Sequence, residues 1–368
     1  MDVIHKRRIA PPLKAPLKKN LFLLSPRQTG KSSYLKTLSS VDLYLNLQEA
    51  DTFRKLSFQK NIIEKLLTPE MKTVALDNVH RLPSLLDQVE HLNKTKNVRF
   101  ILSSSQQMKK HRAIASENAD TLSLLPFCYE ELLGDFNLEQ ILSFGSLPSV
   151  YDFEHKDVLL SDYVGLLFQA DFIQSGKIRK IENFSRFLNV AAEYNGQYLH
   201  YEEIAKLCEA PARTVREYFE LLKEMHLGYE IQCTTSRKGA KRSKFYFFDI
   251  GVVNALRNDF NIEQDFEKSE SALKHFILSE LMAYKNYRKP DMKIEFWCDY
   301  QGNEVDFLIN DEIAIEVRAT KSVTSQHSRR LKKFATKFSV NKSYLITRDP
   351  QSLNVETFLK DLWRDKVI

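Results

Sequence analysis

Apolar residues in the first third of the chain fall into short runs separated by longer amphipathic stretches. The runs 21–24, 41–47, 73–77, 98–103 and 121–125 read as strands, each brief and bounded by polar or turn residues. Phe53–Leu67 and Leu82–Leu92 instead repeat apolar residues every three to four positions, which predicts helices. Strands alternating with helices predict an α/β fold with a parallel sheet. In such a sheet the functional residues gather at the carboxyl ends of the strands. Residues 136–180 read as helical, opened by Phe144-Gly-Ser-Leu-Pro148. Three helices follow, over 184–194, Tyr201–Leu207 and Ala212–Met225, and then two strands, Gly228–Cys233 and Lys244–Phe248. That order is a winged-helix pattern, with the third helix in the recognition position. From about 255 the pattern becomes α+β: a helix over 270–288, strands at Lys293–Cys298, Glu304–Ile309 and Ile313–Arg318, a helix near 325–338 and a strand at Ser343–Thr347. The expected domains are therefore residues 1–135, 136–180, 181–252 and 253–368.

Composition narrows the class without naming a function. With 368 residues, 43% apolar and 28% charged, the chain reads as an ordinary globular protein with core enough for several domains. The net charge of +6 makes its distribution more telling than its total. No apolar run approaches the ~20 residues of a membrane span. The first twenty residues form a basic, proline-punctuated arm, which predicts no secretory leader and a cytoplasmic protein. Cys128, Cys208, Cys233 and Cys298 include no Cys-x-x-Cys pair, so reduced thiols are expected rather than a zinc site or a disulfide frame.

The first chemistry lies at Ser25-Pro26-Arg27-Gln28-Thr29-Gly30-Lys31-Ser32, between a strand and a helix. This is the context of a phosphate-binding loop, although the pattern asks for Gly where Ser25 stands. Backbone N–H groups of such a loop wrap phosphates, and the helix N-terminus adds positive potential. Ser25, Arg27, Gln28, Thr29, Gly30, Lys31, Ser32 and Ser33 are the expected ATP contacts. Lys31 would reach the β- and γ-phosphates, and the Ser32 hydroxyl would ligate Mg²⁺. Asp77, ending its strand, is the second expected Mg²⁺ ligand. Asn78 follows it where ATPases of this kind place an acid to polarise the attacking water, and an amide cannot accept that proton. The pattern predicts ATP binding with weak or lost hydrolysis, and Lys31, Asp77 and Asn78 are the positions that decide it.

In order along the chain, SPRQTGKSS, ALDNVHRLP, FILSSS, LLPFCYEELL, FGSLP, KFYFFDIGVVNAL and EVDF…AIEVR resemble a bacterial and archaeal family of AAA-type ATPases carrying a C-terminal domain of unknown function, 4143. The resemblance covers nearly the whole chain. It implies an AAA-type P-loop domain, a helical lid, a winged helix and an α+β domain of restriction-endonuclease type. This chain departs from the family at Ser25, at Asn78 and at Ser103-Ser104-Ser105, where Thr-Gly-Ser is usual. Ala119-Asp120 stand where an Arg commonly precedes LLPF, with Arg112 farther upstream. These departures imply slow turnover and weaken the inference of a ring-shaped homo-oligomer.

The strands Glu304–Ile309 and Ile313–Arg318 alternate polar and apolar residues. A turn centred on Asp311 places Asp306 opposite Glu316 and Glu304 opposite Arg318, about 5 Å apart at Cβ. Asp306 and Glu316 are thus a candidate metal pair, degenerate in two respects. Arg318 falls where nucleases of the PD-(D/E)xK kind carry Lys, and Lys274 falls where the preceding helix often supplies an acid. Glu280 lies a turn and a half further on. The plain alternative is a Glu304–Arg318 ion pair on a solvated face.

Ser236-Arg-Lys-Gly-Ala-Lys-Arg-Ser-Lys244 joins the two wing strands and contains no acid. Arg237, Lys238, Lys241 and Arg242, with Arg213 and Arg216 on the preceding helix, are the expected nucleic-acid contacts, DNA before RNA. A second basic run, Arg329-Arg-Leu-Lys-Lys333, reads more simply as a solvated helix face. Three readings follow: an ATP-binding AAA-type protein contacting nucleic acid, a non-enzymatic DNA-binding or assembly protein with vestigial sites, and an ATP-regulated metal-dependent nuclease.

Overall fold

The structure, a computed structural model, describes residues 7, 19–59, 61–106, 119–166, 172, 178, 180–234, 242–299 and 301–368, without the side chains of 325–328 and 330. The chain divides into two compact units, one of Asp2–Leu125 with Glu224–Leu227 and one of Pro126–Lys223 with Gly228–Ile368.

The first unit runs β1 (Asn20–Leu24), α1 (Lys31–Thr37), β2 (Leu43–Asn46), α2 (Ala50–Phe58), α3 (Ile62–Leu66), β3 (Thr73–Asp77), α4 (Leu85–Thr95), β4 (Arg99–Ser104) and β5 (Ala119–Ser123). The strands form one sheet in the order β2-β3-β4-β1-β5, and every pair is parallel. β1 and β3 are buried along their whole length, as their continuous apolar runs require. Phe22, Val74, Leu76, Phe100 and Leu102 line one face, and α4 closes over it with Leu85, Leu86, Val89 and Leu92. The single helix expected over 53–67 is two helices, because Asn61 turns to φ 55° and interrupts the ladder.

The second unit opens with α5 (Tyr129–Leu132), α6 (Leu138–Phe144), α7 (Pro148–Tyr151) and α8 (Lys156–Leu166). It continues through α9 (Ile181–Glu193), α10 (Tyr201–Leu207), α11 (Ala212–Glu224), β6 (Gly228–Thr234), β7 (Ser243–Phe247), α12 (Ile250–Arg257) and α13 (Phe266–Tyr287). It ends with β8 (Ile294–Cys298), β9 (Glu304–Ile309), β10 (Ile313–Val317), α14 (Ser325–Phe338), β11 (Lys342–Ile346) and α15 (Val355–Trp363). Its six strands make one mixed sheet, in the order β11-β10-β9-β8-β6-β7. The hairpin β6–β7 is therefore continuous with the sheet that carries the carboxylate hairpin, β6 running parallel to β8. That pairing brings Cys233 and Cys298, far apart in sequence, to 2.8 Å between sulfurs.

Two phrases of the sequence meet here. Asp249 caps α12 by accepting from Gly251 N–H at 2.9 Å, and its other oxygen accepts from Ser146 N–H at 2.9 Å. Gly145 holds φ 70°, and a Cβ there would fall 2.0 Å from the Asp249 carboxylate. FGSLP and FFDIG are thus two halves of one contact. Burial pushes the Asp249 carboxyl up to about 6, against the backbone N–H groups that hold it down.

Candidate nucleotide site and a charge cluster on the second sheet

The loop after β1 folds around its own lysine. Gly30 sits at φ 84°, a left-handed conformation that favours glycine, and α1 begins at the next residue. Lys31 is buried, and its ammonium donates to Pro26 O at 2.6 Å, Ser25 O at 2.9 Å and Ser25 Oγ at 3.1 Å. Ser25, the departure from the glycine pattern, is inside the loop, with its hydroxyl 2.6 Å from Thr29 Oγ1. Its N–H donates to Ser104 O at 3.2 Å, which ties the loop to β4. Arg7, from the basic arm, donates to Thr29 O. Its guanidinium occupies the room beside Gly30, 3.6 Å from where a Cβ would lie. Gln28 also takes a positive φ, 61°.

Asp77 ends β3 completely buried, at the same end of the sheet as the loop. The register Leu76↔Leu102 brings Ser103 alongside it, and the Ser103 hydroxyl donates to Asp77 Oδ1. The same hydroxyl accepts from Asn78 N–H at 2.9 Å. On the other flank, β2 pairs Tyr44 with Ala75 and Asn46 with Asp77. Tyr44 is thus one diagonal step from Asp77 on the same face, within reach of a long side chain. Its hydroxyl donates to Asp77 Oδ2 at 2.7 Å and accepts from the Ser32 hydroxyl. Asn78 takes φ 63°, and its side chain donates to Asn46 Oδ1 at 3.3 Å. His80 is pushed down to about 4 by burial and by the positive charges of Arg27, Lys31 and Arg81, so its ring is neutral at pH 7.

The site thus gathers the loop residues, Lys31, Ser32, Asp77 and Asn78, and adds Tyr44, Ser103, His80 and Arg7. A loop shaped like this suits phosphates. A hydroxyl and a carboxylate are the oxygen ligands Mg²⁺ prefers. Here, however, the Tyr44 phenol oxygen lies between the two, giving its proton to Asp77 and receiving that of Ser32, so the metal position as it stands does not fit the ion.

The second sheet carries a different arrangement. α13 starts at the Asp265 cap, which accepts from Glu267 and Lys268 N–H at 2.9 and 3.2 Å. Glu270 and Lys274 lie four residues apart on one stripe of it. β9 and β10 pair with the register Ile309↔Ile313 and Phe307↔Ile315, as expected for a turn centred on Asp311. Asn310 and Asp311 both take positive φ, which short polar side chains tolerate best. Asp306 accepts from Lys274 Nζ at 2.9 Å and from Val317 N–H at 2.8 Å. Arg318 bridges Glu316 at 2.6 Å and Glu270 at 2.7 Å. Asp306 and Glu316 are buried. Burial pulls Lys274 down, but the charges of Asp306 and Glu270 outweigh it and leave the ammonium raised.

Three readings change on this evidence. The helix acid is present after all: Glu270, one turn before Lys274, reaches the cluster through Arg318. The Glu304–Arg318 pair does not form, because Glu304 takes the Lys244 ammonium and accepts from Tyr198 OH at 2.6 Å. Glu280 is elsewhere, accepting from Tyr129 N–H at 2.8 Å and Trp363 Nε1–H at 2.9 Å. A divalent ion does not fit between carboxylates already neutralised by an ammonium and a guanidinium. No group of three or more metal-ligating side chains occurs among the described residues.

Of the expected nucleic-acid contacts, Arg237, Lys238 and Lys241 lie outside the described residues. Arg213 is exposed and pairs with Glu217 at 3.1 Å. Arg216 lies 3.7 Å from Glu202 and stacks over the Tyr201 ring at 4.7 Å. Arg242 points toward Cys298, its guanidinium 3.8 Å from the sulfur. Lys244, counted with the basic run, is buried against Glu304. No described helix is long and apolar enough to cross a membrane.

Residues 18–133 match the AAA domain family, 135–264 a domain of unknown function (8612) and 271–361 the domain of unknown function 4143. The chain carries an AAA domain, an ATPase-like, nucleotide-binding type of domain, followed by two domains whose activity is not established. Among solved structures it is similar to the Aeropyrum pernix Orc1 protein in complex with DNA, at 15% identity over 70% of this chain and 91% of that one, with a TM-score of 0.27. Similarity at that level carries no functional argument. No curated protein matches the chain.

Proposed function

We propose that the protein binds ATP at the Ser25–Ser32 loop and uses it mainly as a conformational ligand, with slow or no hydrolysis. The observation that carries this reading is the loop itself, with Gly30 at φ 84° opening α1 and Lys31 buried beneath it. A nucleotide phosphate would draw the Lys31 ammonium from the carbonyls of Ser25 and Pro26. Slow hydrolysis is supported by Asn78, whose backbone N–H is bound to Ser103 and whose amide has no basic oxygen to offer. Lys31→Ala tests the reading. Millimolar ATP should raise the wild-type melting temperature in a concentration-dependent way and leave the variant unmoved. An unmoved wild type rejects it.

The contact with nucleic acid belongs to the same proposal, with DNA as the first partner. It rests on the acid-free segment between β6 and β7 rather than on α11, whose arginines have carboxylate neighbours. Reversing Arg237, Lys238, Lys241 and Arg242 to Glu should weaken DNA binding several-fold at low salt. It should also flatten the slope of log K against log salt, since fewer phosphates are neutralised. Unchanged affinity would make the segment a solvated surface and return the second unit to an assembly role.

A further inference from the structure

We infer that Tyr44 takes the place of magnesium in the nucleotide site, so that nucleotide binds there without a divalent ion. This rests on the nucleotide-binding reading above. A magnesium ion in a loop of this kind needs lone pairs on the hydroxyl after the lysine and on the acid ending the neighbouring strand. In this chain those groups are Ser32 and Asp77, and the Tyr44 phenol oxygen stands between them, donating to Asp77 Oδ2 and accepting from the Ser32 hydroxyl. Both Asp77 oxygens already receive a hydroxyl, Oδ1 that of Ser103 and Oδ2 that of Tyr44.

The phenol is held by the sheet. β2 places Leu43 and Leu45 against the core of the first unit, which fixes Tyr44 and Asn46 on the opposite face. The Tyr44–Ala75 register then leaves the hydroxyl one step from Asp77. The Lys36 ammonium lies over the ring, 5.7 Å from its centroid.

Competition decides the outcome. The ion must shed water to enter, which magnesium does reluctantly. It must also break two hydrogen bonds of a side chain already tethered in place. Positive charge for the phosphates is supplied instead by Lys31 and Arg27, whose fields both reach His80, and by Arg7 at the Thr29 carbonyl.

The test is a calorimetric titration of ATP into the full chain, once with excess magnesium and once with a chelator. It is run on wild type, Tyr44→Phe and Tyr44→Leu. Phe removes the hydroxyl; Leu also clears the ring from the space between Ser32 and Asp77. Wild type should bind with affinities that agree within about threefold in the two buffers, whereas magnesium should tighten binding to Tyr44→Leu by about tenfold or more, with Tyr44→Phe in between. Magnesium tightening wild type as much as the variants overturns the role of Tyr44 and leaves nucleotide binding standing. Absence of binding to wild type in both buffers overturns the nucleotide reading itself. Should either variant fail to fold, the wild-type pair decides alone: tenfold or greater magnesium dependence there rejects the inference.

Discussion

The two units each bury acidic side chains on a strand, and they restrain them by opposite means. Asp77 is held by hydroxyls, from Ser103 and Tyr44, that carry no charge. Asp306 and Glu316 are held by the charged ends of Lys274 and Arg318. A neutral donor fills a lone pair of the carboxylate and brings no charge of its own. A tethered cation brings an opposite charge, and its departure would leave a charge buried alone. The first arrangement occupies the acid by hydrogen bonds, and the second by ion pairs. The acids expected as a metal pair are therefore both on the second sheet, but the field around them is set by paired cations.

The largest effect should come from removing a tethered cation. Lys274→Met keeps the stem and deletes the charge, leaving Asp306 the Val317 N–H and the more distant field of Arg318. Chemical denaturation at pH 7 should show a loss of about 3 kcal/mol, typical of a broken buried pair. A loss below the error of the titration would mean that the cluster is solvated and the contrast false. Ser103→Ala, the matching change at Asp77, should cost less, about 1–3 kcal/mol, because it removes a neutral hydroxyl that both donates and accepts. If it costs more than Lys274→Met, neutral restraint is the stronger of the two. The smallest effect is a slope. Glu280 is also held by neutral donors alone, and burial pushes it from 4.5 up to about 8. Its folded state keeps a proton that the unfolded chain releases, so this residue makes stability fall as pH rises from about 4.5 to about 8. Glu280→Gln should flatten that fall in melting curves taken across the window, whatever it does to the absolute midpoint. An unaltered slope would assign the pH dependence to other groups.

Much of the fold was legible because it is written in local pattern. Thr73–Asp77, Tyr201–Leu207, Glu304–Ile309 and 325–338 occupy the expected residues, since each run has one strong period and clear ends. The break at Asn61 was not legible, because apolar spacing continues across it from Leu56 to Ile63. α15 was overlooked although its signal is present: Asn354 caps it, and Val355, Phe358, Leu359 and Leu362 repeat at helical spacing. The site divides in the same way. The loop and Asp77 follow from short motifs. Tyr44 emerges only from the register of β2 on β3, and Glu270 only from where α13 begins. Glu304 finds Lys244 and Tyr198 rather than Arg318 because β8, between β9 and β6, joins two segments that the sequence presents as separate.

That shared sheet has a geometric consequence. β6 and β7, the strands of the basic hairpin, lie two and three inter-strand steps of about 4.8 Å from β9, so roughly 10 to 14 Å divides them from the strand of Asp306. Backbone ladders, not a linker, set that interval. A change at either strand of the hairpin would therefore reach the strand of Asp306 through hydrogen-bonded neighbours. The second unit is in this sense a ruler whose graduations are strands, and inserting or deleting residues in its loops would leave the scale unchanged.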